Sequence, residues 1–534
     1  MGSMTGESNP LPPSIMPIVI LKGSDHEMGY QYGQQAGRFI ERQKNGVWVA
    51  SIEELGSREK VVQQLKGMEH YVKKYTPEAI EQMKAMVEGA AAEGCKVSYT
   101  DILLINCGAK RIASHIERPS GSNTDDLSPT ECSVFAAWGS ATRDGKFVFG
   151  DSKDSDFDYM VVLVVFPDQG NAYMAGVRAG ELSEHFAFNN RGLFVGTGQN
   201  AGRREEDYGY GLKKQFGIQH ILRFAESGTE AKDMFLSWEF PNTTNLIFAD
   251  VEGQAFVVER TASVKGVRKP GDFGERDFIY STNNSMTKDM KEAVKSETFI
   301  EHAGWSIKGG SIPRSLEVWN MFNNYHGKID MEFVKMMWRF TGEPSPYDRK
   351  GFEEDRDQMI CNFQNIRVAV GRPDKGEKGF AYICTGPAGR LLNPPSLRRR
   401  PCFQIEGTHS FYRLVLASGP AKLVRESRED AFDNLAEAYR EMMILDYGDG
   451  RYILVKNLYS QAVSEYYEGI NLSNIALLEN GDESIRYFAR AATAFTRSQA
   501  HSRQVYDILV PPPSRPQDLG LQPYGGSWAQ WVKR

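Results

Sequence analysis

The order of local patterns predicts an α+β layered core followed by a helical C-terminal part. Three observations predict it. Helical periodicity dominates to about residue 118, short β-branched apolar runs cluster from Cys132 onward, and amphipathic helical stretches return after Gly386. Strands that come in runs, and helices that come in runs, argue against strict β-α-β alternation.

The chain opens with an apolar run, Ile15 to Leu21, and a glycine-punctuated stretch, Gly23-Ser-Asp-His-Glu-Met-Gly-Tyr-Gln-Tyr-Gly33. Helical spacing then predicts helices over Ile52 to Tyr71, Pro77 to Glu93 and Tyr99 to Cys107. Thr76 is expected to cap the second of these, with Pro77 in its first turn. A polar Pro/Gly/Ser-rich stretch, Pro119 to Thr130, leads to Cys132.

From there the pattern predicts strands over Cys132 to Ser140, Phe147 to Gly150, Met160 to Phe166, Ala172 to Val177, Phe186 to Asn189 and Leu193 to Gly198. Turn signals such as Arg143-Asp-Gly145 and Asn190-Arg-Gly192 separate them. Helices are expected over Lys213 to Glu226 and Thr229 to Trp238, and strands over Asn245 to Asp250 and Ala255 to Glu259. Further on, Ser427 and Asp430 read as a capping box opening a helix to Met443, followed by helices over Leu458 to Ile470 and Ser484 to Ser502. Their Tyr, Phe and Met stripes read as packing surface, and the tail Pro511 to Pro516 as extended chain.

Composition excludes several function classes. In 534 residues, 63 Lys and Arg stand against 69 Asp and Glu, a net charge of −6, which provides no basic footprint for nucleic acid. Six cysteines without a C-x-x-C pair indicate neither a zinc ribbon nor a dithiol redox site, so no metal and no cofactor are expected. No window approaches ~18 uninterrupted apolar residues, so no membrane helix is expected. Met1-Gly-Ser-Met4 resembles a tag scar with no signal-peptide pattern behind it, and a soluble cytoplasmic protein is expected.

Cys132 carries the chemistry. A thiol at the lip of a strand, after a polar loop, is placed for nucleophilic attack and for chain cleavage. None of the nine histidines sits in a cysteine-hydrolase signature, and His185 and His302 are the dyad candidates by region. If the Glu131–Cys132 bond is cut, the freed α-amino group, with an ordinary pKa of about 7.7–8.0, can take the thiol proton itself. An oxyanion donor and a carboxylate near the amine complete such a site.

Six motifs in order support this. Gly23-x-x-x-Glu27-Met-Gly29-x-x-x-Gly33, the helical Tyr75 to Cys107, Cys132-Ser-Val-Phe with Gly150-Asp-Ser-Lys-Asp154, Phe188-Asn-Asn-Arg-Gly-Leu193, Ala255-Phe-Val-Val-Glu259 and Ser281-Thr-Asn-Asn284 follow one another. Over about residues 15 to 390 the chain thereby resembles the isopenicillin N acyltransferase family of cysteine N-terminal-nucleophile hydrolases. The resemblance implies a four-layer αββα sandwich, autoproteolysis between Glu131 and Cys132, and hydrolysis or transfer of an acyl group held as a thioester.

It also implies roles. Cys132 falls at the nucleophile, Asp154 at the carboxylate that binds the new amine, and Asn283 at the oxyanion donor. Asn189, Asn284 and Arg356 are pocket candidates, and Glu259 reads as a strand-end ion pair. Glu131 stands where Gly is common and Ser152 where Asn is common. The family's late Arg has no clear counterpart, with Asn362 or Gln364 in the aligned stretch and Arg356 upstream.

The expected division is 1–14 tag and leader, 15–131 helical propeptide or α subunit, 132–390 catalytic core and 391–534 helical extension. That extension could serve as a lid, a dimer contact or a pocket wall. The expected partner is a small-molecule amide, with neither nucleic acid nor membrane, and a homo-oligomer is an open expectation. Three functions stay open: a self-processing amidohydrolase or acyltransferase, an unprocessed cysteine hydrolase with an internal Cys/His dyad, and a non-catalytic binding protein.

Overall fold

A computed structural model describes residues 15–108, 132–154, 159–198, 209–241, 243–293, 299–302, 305–309, 311–340, 360–361, 365–376, 378–389 and 410–523. The N-terminal elements are β1 (Ile18–Gly23), α1 (Asp25–Leu55), α2 (Arg58–Tyr75), α3 (Pro77–Ala92) and α4 (Tyr99–Gly108). Then come β2 (Val134–Gly139), β3 (Gly145–Asp154), β4 (Met160–Pro167), β5 (Tyr173–Arg178), β6 (His185–Asn189), β7 (Leu193–Gly198), α5 (Lys214–Phe224) and α6 (Gly228–Ser237). They are followed by β8 (Thr244–Asp250), β9 (Ala255–Arg260), β10 (Lys265–Arg268), β11 (Phe278–Ser281), β12 (Asn284–Ser285), α7 (Lys288–Ala293), β13 (Phe299–His302), β14 (Trp305–Gly309), α8 (Ile312–Asn324) and α9 (Met331–Arg339). Last are β15 (Asn365–Arg372), β16 (Phe380–Thr385), β17 (Tyr412–Val415), α10 (Pro420–Met443), α11 (Tyr452–Leu478) and α12 (Gly481–Leu509).

The protein is α+β. An eight-stranded sheet runs β1-β4-β5-β6-β7-β8-β9-β10, and a six-stranded sheet runs β11-β2-β3-β15-β16-β17. Pairing is antiparallel except where β1 adds to β4 in parallel. Alternation along each strand divides the apolar residues between two faces. On β4, Val162 and Val164 join a core shared with Val134, Phe149, Phe186 and Phe194 from both sheets, while Val161, Leu163 and Val165 face α1, α3 and α5. On β2, Phe135 and Ala137 point the other way, to α8 and α9. Phe149 stacks on Phe194 with ring centroids 4.3 Å apart, tying one sheet to the other.

The glycine motif near the start acquires a packing reason. Ser24 caps α1 in a reciprocal capping box with Glu27. Beyond it, Gly29, Gly33 and Gly37 lie along the seam with α3: a Cβ on Gly29 would lie 2.3 Å from the Gln82 carbonyl, and one on Gly33 2.0 Å from that of Met86. Only glycine lets the two helix backbones approach this closely. The glycine-punctuated stretch therefore opens a 31-residue helix.

Other differences have local causes. The helix expected from Ile52 to Tyr71 is broken because Gly56 (φ 82°) ends α1 and Ser57 caps α2. Thr76 turns its hydroxyl back to the Val72 carbonyl and gives α3 no side-chain cap, although Pro77 does open α3. Ser427 is buried inside α10, which starts seven residues earlier at Pro420. β15, β16 and β17 escaped the sequence reading. No helix among the described residues is long and apolar enough to cross a membrane.

The glycine seam yields a stability test. Gly33→Ala should lower unfolding free energy by about 1–3 kcal/mol through overpacking. Gly46→Ala, on the same helix but with nothing within 4 Å, should be neutral or stabilising by up to ~1 kcal/mol. Equal effects in urea titrations would dispose of the close-packed seam.

Candidate active site

Cys132 lies just before β2 with 1% of its surface exposed, in a left-handed conformation of φ 57°. Such a φ is unusual for a residue with a Cβ and stores backbone strain of roughly 1–3 kcal/mol. The strand lip is pinned by its neighbour: Ser133 N–H donates to Ser152 Oγ (3.0 Å), and Ser152 N–H to the Ser133 carbonyl (2.9 Å). Ser152 thus holds β2 to β3.

Asp154 ends β3, 1% exposed. Its Oδ1 accepts from Asn365 Nδ2 at 2.5 Å and its Oδ2 from Arg314 Nη1 at 3.1 Å. Arg314 sits in the first turn of α8 with its side chain 1% exposed. The same Nη1 donates to Ser133 Oγ (3.1 Å), and Nη2 donates to Asn283 Oδ1 (2.8 Å). One guanidinium therefore joins the residue beside Cys132, the carboxylate Asp154 and the amide Asn283, which come from three separate stretches of sequence.

Asn283 follows β11 in a backbone held on all sides. Its N–H donates to Ser311 Oγ (2.6 Å), while Asn245 Nδ2 donates to the carbonyls on either side of it, Thr282 (3.1 Å) and Asn284 (2.8 Å). Because Oδ1 faces Arg314, the planar amide presents its Nδ2 donor on the opposite side.

The pocket candidates fare differently. Asn284 Nδ2 donates to Thr282 Oγ1 (2.7 Å) and Ser315 Oγ (2.5 Å), which braces Asn283 from behind. Asn189 spends its amide on backbone: Nδ2 donates to the Leu222 and Ala225 carbonyls, and Oδ1 accepts from Arg191 and Leu193 N–H, closing the turn from β6 to β7. Arg356, Asn362, Gln364 and Glu131 lie outside the described residues. His185 is in β6 and His302 in β13. Glu259 forms the ion pair read from the sequence, with Arg268 at 3.2 Å.

Charges around the site are sorted by burial. Glu317, one turn along α8 from Arg314, is pushed up to about 8 by burial and accepts from Ile360 N–H (3.2 Å). Protonated at neutral pH, it leaves Arg314 to Asp154. Asp151, facing Arg367 at 2.7 Å on the other side of β3, is likewise pushed up to about 6 by burial. Among the other described cysteines, burial pushes Cys107 and Cys361 up to about 12 and raises Cys95 and Cys384, so those thiols stay protonated. No group of three or more His, Cys, Asp or Glu among the described residues is placed to hold a metal ion.

Arg314 and Asn365 were missed in the sequence. The available signal for Arg314 was a lone arginine behind a helix-opening proline in Ile312-Pro-Arg-Ser; Asn365 gave none.

No family model matches the chain. An uncharacterized protein of Archaeoglobus fulgidus is 25% identical over 232 residues, 41% of this chain and 38% of that protein, so the match spans well under half of the relative's length. Similar solved structures include a Caenorhabditis elegans N-acylethanolamine-hydrolyzing acid amidase ortholog (14% identical, 45% of this chain and 93% of that one, TM-score 0.32). Others are a conjugated bile acid hydrolase mutant of Clostridium perfringens (14%, 47% and 89%, TM-score 0.29) and penicillin V acylase of Agrobacterium tumefaciens (12%, 53% and 91%, TM-score 0.29). At such TM-scores these likenesses carry no weight, and the chemistry rests on the geometry of the chain itself.

Glu317 supplies a pH test. Its folded-state pKa of about 8 lies above the ordinary 4.5, so its stabilising contribution is complete below about 4.5 and is lost as pH rises through about 8. Glu317→Gln should flatten that decline by on the order of a few kcal/mol between pH 5 and 9. Parallel stability–pH curves for the two proteins would refute it.

Proposed function

We propose that the chain is a self-processing cysteine N-terminal-nucleophile amidohydrolase, built as a four-layer αββα sandwich and related to the isopenicillin N acyltransferase family. The observation that carries this is the Arg314 guanidinium, which gathers Ser133 beside Cys132, Asp154 and Asn283 into one buried network. The core packing of helices on the outer face of each sheet supports the layered reading.

Processing would begin with attack of Cys132 Sγ on the Glu131 carbonyl carbon. The C–N bond to Cys132 breaks, its nitrogen takes the thiol proton and becomes a free amine, and water hydrolyses the resulting thioester to a Glu131 carboxylate and the thiol. Cleavage also releases the strain of φ 57°, because that torsion ends with the peptide bond.

In turnover the α-amine takes the thiol proton, with Asp154 accepting from the ammonium. The thiolate adds to a linear amide carbonyl, and Asn283 Nδ2 donates to the oxyanion. The amine product leaves with a proton, and water resolves the acyl thioester, regenerating the thiol. Water as the second nucleophile makes the reaction hydrolysis; an amine in its place would make it acyl transfer.

The N-terminal segment would remain as a bound subunit. β1 is an integral strand beside β4, Ile18 N–H donates to Thr493 Oγ1 of α12 (3.1 Å), and Asp25 pairs with Arg223 at 2.6 Å.

Intact-mass analysis tests the proposal. Wild type should give two fragments breaking before Cys132 that separate only in denaturant, and Cys132→Ala one intact chain. Asn283→Ala should still cleave a panel of N-acylethanolamines, bile-acid conjugates and penicillin V about 10²–10³-fold more slowly than wild type. An intact wild-type chain, or a Cys132→Ala variant that hydrolyses the panel normally, would overturn the reading.

A further inference from the structure

The geometry points to Asn365 as a positioning residue for this chemistry, delivered to Asp154 by a β-bulge; the inference rests on the proposed self-processing mechanism. β15 pairs with β3 in regular antiparallel register from Gly371↔Phe149 to Arg367↔Lys153, and continuing it would set Ile366 opposite Asp154. The register instead shifts between Arg367 and Asn365, so that Asn365 is the partner of Asp154 and Ile366 is the extra residue.

The shift decides what a buried carboxylate meets. Directly opposed residues of an antiparallel pair share a face, so the unshifted register would press an isoleucine side chain on Asp154. With the bulge, Asn365, itself fully buried, places its Nδ2 donor 2.5 Å from Asp154 Oδ1. Arg314 takes the other oxygen, Oδ2, at 3.1 Å. The two donors on opposite oxygens fix the rotation of the carboxyl about its Cβ–Cγ bond, which neither does alone. The ladder gives up regular pairing at this one position, where it aims a donor at the carboxylate.

Asn365 acts through Asp154. On the proposed mechanism Asp154 receives hydrogen bonds from the Cys132 nitrogen as that nitrogen gains its proton, during self-cleavage and again in each turnover. A carboxyl free to rotate spends part of its time misaligned, and misplacement on the ångström scale costs on the order of 10- to 100-fold in rate. An amide at position 365 can donate without bringing a second negative charge to the site.

The test follows self-cleavage, which needs no added substrate. Wild type, Asn365→Ala, Asn365→Ser and Asn365→Asp are made by cell-free synthesis, checked for folding by circular dichroism, and timed on gels from pH 5 to pH 8. Asn365→Ala should cleave on the order of 10- to 100-fold more slowly than wild type at every pH. Asn365→Asp should be at least as slow at pH 8, where two carboxylates repel, and should gain on wild type as pH falls, because the introduced carboxyl then holds a proton it can donate to Asp154. A change of packing alone would not produce that pH-dependent ratio. Cleaved wild type with folded Ala and Ser variants at wild-type rate, or an Asp variant whose ratio to wild type is constant with pH, would overturn the role of Asn365 alone. An uncleaved wild type would instead overturn the mechanism on which it rests.

Discussion

A guanidinium with 1% of its side-chain surface exposed has no water to satisfy its N–H donors, so Arg314 must find acceptors inside the protein. Its Nη1 and Nη2 find them in Ser133, Asp154 and Asn283. Removing one partner of such a buried pair leaves an uncompensated charge, which typically costs about 3–5 kcal/mol. The same requirement sets the geometry: Asp154 is drawn toward the strand lip that bears Cys132, and the Asn283 amide is turned so that its donor faces away from the arginine. Stability and site geometry here share one interaction.

The surroundings are arranged so that this pairing persists. Glu317, the nearest competing carboxyl on α8, is kept protonated by its burial. Asp151 faces the other side of β3 and has Arg367 for itself. Asn245 and the Thr282–Ser311–Ser315 hydroxyls clamp the backbone that presents Asn283. On the far face of the eight-stranded sheet, the glycine seam between α1 and α3 packs the N-terminal helices closely enough for β1 to serve as an ordinary strand of that sheet.

Strands β2 to β9 were legible in the sequence because short apolar, β-branched runs bounded by turn residues leave a clear pattern, and β10 to β17 were not; β7 was read with its observed ends and β4 to within a residue. The long α1 was not, because the glycines that make its seam look like turn residues when nothing shows what they pack against. Cys132, Asp154 and Asn283 could be named as candidates from motif order. Arg314 and Asn365 could not, since their roles depend on a helix start and a one-residue register shift that bring them to Asp154 from 160 and 211 residues away. Asn189 shows the converse: a motif residue whose amide is consumed by the turn it closes.

The central claim is that Cys132 serves as an N-terminal residue and as the nucleophile in the same molecule. Acid-quenching the purified protein during turnover of an N-acyl amine and sequencing its fragments by mass spectrometry tests both at once. The acyl group should appear as a thioester on the first residue of a fragment that begins Cys132-Ser133-Val134. An acyl adduct on another residue, or on a chain still continuous through Glu131, would contradict it.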